Sequence, residues 1–121
     1  MTTAPAKKAT PRKAPARKAD PLADVLAEVR AAAQKIGPLP PHLVGGVYPE
    51  RGIDAYRKRG EEWAIINADR GEVGVLGVDG LAIEVAFAAF GGRTPEEIRK
   101  GLVRLASLAV AAIGQIDGGR K

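Results

Sequence analysis

The side chains able to do chemistry are few in this sequence, and their types exclude more than they suggest. It contains no cysteine and one histidine, His42, so thiol chemistry, disulfides and a zinc site built on Cys and His all lack their groups. His42 lies among prolines and glycines and reads as a solvent-facing loop imidazole. Glu96 and Glu97 directly follow Thr94-Pro95, and a role in the first turn of a helix already accounts for them. Glu84 is the one acid inside the apolar run from Leu81 to Phe90. The basic residues divide sharply: Lys7, Lys8, Arg12, Lys13, Arg17 and Lys18 all fall in residues 1–19, which contain no acid. Such an arm gains free energy by releasing counterions from a polyanion without reading bases, although a merely solubilising extension has the same composition. Of nineteen basic residues the arm holds six, which leaves thirteen against fourteen acids in the rest. The net charge of +5 therefore belongs to the arm, and the body is near −1.

The elements that would position these groups follow from the apolar pattern. Residues 1–19 have no large apolar side chain beyond Met1 and cannot bury enough surface to fold. Asp20-Pro21 then opens a helix whose stripe is Leu22, Val25, Leu26, Val29, Ala33 and Ile36, stopped by Gly37-Pro38. Residues 37–52 hold four of the nine prolines and four glycines, which predicts an extended loop. Asp54 to Ala68 is expected to be helical, with Tyr56, Trp63 and Ile66 on its apolar face and Gly60 as its weak point. From Trp63 to Phe90 two readings stand. WAIIN, EVGVLGV and LAIEVAF could form a β-meander with Asp-Gly as a tight turn. Alternatively Leu81, Val85, Ala88 and Ala89 repeat at helical spacing, with Asp79 as cap, Gly91-Gly92 as stop, and Gly71, Gly74 and Gly77 in a loop. The last element is the plainest. Thr94 caps, Pro95 suits the first position, Glu97 closes a Thr-x-x-Glu box, and a long helix runs to Asp117. Between Leu102 and Ile113 only Arg104 and Ser107 are polar, so this helix must be covered by other helices and by a second copy of the chain. No apolar run is read as reaching the roughly 20 residues that span a bilayer, and the basic N-terminus, with no apolar core after it, is not expected to be a secretory signal.

Several segments, taken in order, resemble the MazG-like nucleoside triphosphate pyrophosphohydrolases of actinobacteria and their phages. LADVLAEVR resembles the first helix of that family, and DAYRKRGEE the end of its Pro/Gly loop and the basic helix that follows. GLAIEVAFAAF resembles the helix bearing the first acidic pair, and TPEEIRKGLVRLASLAVAAIGQID the last helix. The arm AKKATPRKAPARKA resembles the tails of linker histones and of HU-like nucleoid proteins. The MazG resemblance implies an all-α dimeric bundle, and so favours the helical reading of 79–90. It also implies two acidic pairs, E-x-x-E and E-x-x-D, whose three-residue step puts both carboxylates of a pair on one helix face to hold Mg²⁺. Here Glu84 takes the first acidic position, while Phe87, Gly101 and Arg104 replace the other three. In an alternative frame Asp69 and Glu72 supply the first pair. Either way the metal site is incomplete. An arginine on a mostly apolar helix should find a carboxylate, so Arg104 is expected to pair with Glu84 where a metal would have been.

The sequence thus predicts a small all-α, MazG-like bundle over 20–117, flanked by a disordered basic tail over 1–19 and a C-terminal tail over 118–121. It is expected to be a homo-oligomer through the helix 94–117, without membrane, cofactor or metal, and to have exchanged hydrolysis for a binding or scaffolding role. The tail would contact nucleic acid or another polyanion without sequence preference. A cytoplasmic protein, or a phage-encoded one associated with the virion, fits this reading. Two alternatives remain: a working Mg²⁺-dependent pyrophosphohydrolase, and an α+β nucleoid or virion protein that binds DNA through its tail.

Overall fold

In the computed structural model, which describes residues 20–119, the chain forms four helices and no strand among those residues. They are α1 (Ala23–Ile36), α2 (Pro49–Glu72), α3 (Val78–Phe90) and α4 (Pro95–Gly118). α3 is the central element: it packs against α2 on one side and α4 on the other, and α1 touches only α4. The all-helical expectation is met and the β-meander is overturned. Its first run, WAIIN, continues α2, and its third is α3. Only Val73 to Gly77 lies between them, and Gly74 turns there with φ 77°, a left-handed conformation that glycine adopts without steric cost. Gly71 was expected in the loop, but it lies within α2. The basic arm, residues 1–19, lies outside the described residues.

α4 begins as its sequence dictates. The Thr94 hydroxyl oxygen accepts from the Glu97 N–H at 3.1 Å, and Glu97 reaches back to accept from the Arg93 N–H at 2.8 Å. The reciprocal box is thus displaced by one residue, to the position before the cap. α3 lacks such a device: its cap is Gly77, with no side-chain bond, and Asp79 sits inside the first turn. α2 begins at Pro49, within the stretch expected to be loop, because proline suits a first helical position. Asp20 does turn the chain into α1, accepting from the Leu22 N–H at 3.0 Å, but the helix proper starts at Ala23.

The helices pack closely where side chains are smallest. A Cβ on Gly101 of α4 would stand 2.6 Å from the Cα of Ala89 on α3, so glycine sets the distance between these helices. Gly60 of α2 abuts Phe87 and Ala88; the glycine that weakens α2 as a helix allows it to approach α3. The resulting core is thin. Val25, Ala89, Ile98 and Val110 are its buried apolar residues, and no large side chain among the described residues is fully enclosed. Leu26, Val29 and Ile36 of the α1 stripe are exposed, as are Val103 and Ile116 of α4. By length and composition alone α4 is long and apolar enough to cross a bilayer, a property that core helices share.

Candidate functional site

Glu84 is the centre of the polar structure between α2 and α3. Asn67 is only 6% exposed, and its amide nitrogen donates twice, to the Gly80 carbonyl at 2.9 Å and to Glu84 Oε1 at 2.7 Å. Its own Oδ1 is buried without a partner. Asn67 thus ties the carboxylate of α3 to the body of α2 and fixes the register of the two helices. Glu84 also lines a groove of about 300 Å³ with Arg57, Gly60, Glu61, Ala64, Ala88 and Gly91. Arg57 closes one end of it, donating from its guanidinium to the Gly91 carbonyl at the C-terminus of α3, where a cation also meets the negative end of the helix dipole. The groove therefore has two carboxylates, Glu61 and Glu84, beside one occupied arginine on an otherwise small and apolar wall.

The expected pair of Arg104 with Glu84 does not form within the chain. Glu84 turns toward α2, whereas Arg104 lines a second groove, between α3 and α4, with Leu81, Val85, Val103, Ser107 and Leu108. Among the described residues Arg104 has no carboxylate within ion-pair distance; the bridges there are Arg70 to Asp79 and Arg93 to Asp54, each at 3.8 Å.

The other two positions where the resemblance implied acids have structural work. Phe87 stacks on Tyr56 with ring centroids 6.2 Å apart, and Phe90 meets the same ring edge-on at 6.3 Å. Gly101 is the contact with Ala89 described above. Asp69 and Glu72 are exposed near the end of α2, and neither lines the α2–α3 groove. Among the described residues no three His, Asp or Glu side chains converge as a metal would require. His42 is exposed and borders a shallow groove between the Pro/Gly loop and the start of α4, lined by Ile53, Thr94 and Ile98 among others.

Sequence reasoning passed over Glu61, Asn67 and Arg57. The signal was present in their spacing: 57, 61, 64 and 67 recur at four and three residues, one face of a helix. Compared with family models, with curated proteins and with solved structures, the chain matches none.

Proposed function

We propose that the chain is a homodimeric, MazG-like helical scaffold that binds a polyanion through its basic N-terminal arm and does not hydrolyse nucleotides. The observation that carries this reading is the thin core. A domain of about 100 residues ordinarily buries enough apolar surface to stand alone, yet here large apolar side chains of α1, α2 and α4 stay exposed and Leu81 and Val85 of α3 are only half-buried, and a second copy would cover such faces. The site supports the loss of hydrolysis. Glu61 and Glu84 give two carboxylates where the MazG resemblance implies four acids, and one of them is already held by Asn67. The scaffold acts in the cytoplasm or within a virion.

Light scattering on the eluting full chain tests the dimer. Binding to duplex DNA tests the arm. Six cations neutralising six phosphates give a log–log salt slope of about −5, and deletion of residues 1–19 abolishes it. Unchanged binding after deletion would move the contact to the body.

A second reading has one observation in its favour: Glu61 and Glu84 share a groove, so two copies meeting there could pool four carboxylates into a Mg²⁺ site for a nucleoside triphosphate pyrophosphohydrolase. Pyrophosphate release from mixed nucleoside triphosphates with Mg²⁺, lost in Glu84→Gln, would establish this reading. No release from the dimer favours the scaffold.

A further inference from the structure

The two grooves beside α3 are parts of one trough. Leu81, Val85 and Ala88 recur at four and three residues, so they form a single stripe on α3. Ala88 and Glu84 border the α2 groove, and Leu81 and Val85 border the α4 groove. The stripe is thus the floor between two walls. The α2 side is acidic, with Glu61 of α2 and Glu84 of α3; the α4 wall has Arg104 and Ser107.

The heights of these charges along the trough follow from the packing register. α3 and α4 are joined by a short turn and run antiparallel. With Gly101 opposite Ala89, Arg104 stands level with Ala86, two residues or about 3 Å along the axis from Glu84. On the other wall Asn67 is opposite Gly80 and Gly60 opposite Phe87 and Ala88, which sets Glu61 level with Ala86 or Phe87. Arg104 therefore lies level with Glu61 to within about one residue and about 3 Å along the axis from Glu84, but across the trough from both, with no partner of its own among the described residues.

We propose that a second copy of the chain fills this trough, and that Arg104 of each copy lies between Glu61 and Glu84 of the other. Charge complementarity selects the arrangement. A two-fold axis along the trough lays each acidic wall on the other copy's Arg104 wall and preserves height. An axis across the trough would set Glu61 and Glu84 against their own counterparts, where like charges repel. The apolar floor, Leu81, Val85 and Ala88 with Leu108 beside it, is then covered by the same floor of the second copy. The ion pair that the sequence suggested within one chain is made between two.

The inference rests on the homodimer reading, and the experiment separates the two. Wild-type chain is measured by light scattering across a dilution series, followed by Arg104→Glu, Glu84→Arg and an equimolar mixture of the two variants, with far-UV circular dichroism to check that the helices persist. Each variant alone places like charges together in both pairs and should raise the dimer Kd at least about 30-fold. The mixture restores an Arg–Glu contact in both pairs and returns Kd to near the wild-type value. Glu84→Arg also removes a partner of Asn67, so a second measurement avoids it. The chain has no cysteine of its own; on oxidation Glu61→Cys mixed with Arg104→Cys should give a cross-linked heterodimer, and Glu61→Cys alone should not. A wild-type chain that is monomeric throughout overturns the homodimer itself. A wild-type dimer with indifferent charge variants, or one that cross-links Glu61→Cys to itself, overturns only this trough geometry.

Discussion

Single residues in this protein act mainly by fixing how closely, and at what height, two helices meet. Asn67 is the clearest case, because both hydrogens of its amide are used across the α2–α3 interface. Asn67→Ala should cost about 1–3 kcal/mol in chemical denaturation, since the Gly80 carbonyl and Glu84 lose a donor in a confined site. Asn67→Asp should cost more, as it sets a second carboxylate against Glu84. Gly101 and Gly71 make a matched pair. Alanine has the higher helix propensity at both, by up to about 1 kcal/mol. At Gly71 the space around a Cβ is empty, so Gly71→Ala should be neutral to stabilising. At Gly101 the Cβ would meet the Ala89 backbone, and overpacking of about 1–3 kcal/mol outweighs the gain, so Gly101→Ala should lower the thermal midpoint. Equal midpoints for the two variants would contradict the close crossing of α3 and α4.

At the scale of elements, α4 was legible because its start is encoded locally. A cap, a proline and two acids within four residues satisfy the free N–H groups of the first turn without help from elsewhere. Thr94→Ala should therefore destabilise by about 1 kcal/mol, and Thr94→Ser should restore most of it; urea titration of the three proteins is the measurement. Residues 63–90 were not legible in the same way. A short apolar run such as WAIIN suits a strand or a buried helix equally by periodicity. What decides it is that Tyr56, Gly60 and Asn67 all meet α3 from one face, a continuity that exists only if α2 passes through Trp63 to Ala68 without a break. The start of α2 was missed for a similar reason. Proline and glycine density signalled a loop, but Pro49 is the one proline of that stretch placed where a helix accepts it.

For the whole molecule, the proposed second copy would make association part of folding. Stability that depends on a second copy varies with concentration by mass action. The thermal midpoint of the body should rise over a hundredfold increase in protein concentration, and the extent of helix by circular dichroism should fall on extreme dilution. A midpoint independent of concentration would mean that the four helices suffice alone. The basic arm should leave this midpoint unchanged when deleted, because the charge it carries is separate from the near-neutral body.

The sequence by itself determined the class of elements, the start of the last helix, the division into a charged arm and a near-neutral body, and the scarcity of metal ligands. Each is a property of composition or of neighbours within one or two turns. Only the tertiary structure decided which side of α3 Glu84 would face. The acid and the arginine that sequence spacing had put together lie on opposite walls of α3, because Gly60 and Gly101 let α2 and α4 approach from different directions and Asn67 captured the carboxylate first. Helical periodicity specifies which residues share a face, and it cannot say which neighbouring helix that face will meet.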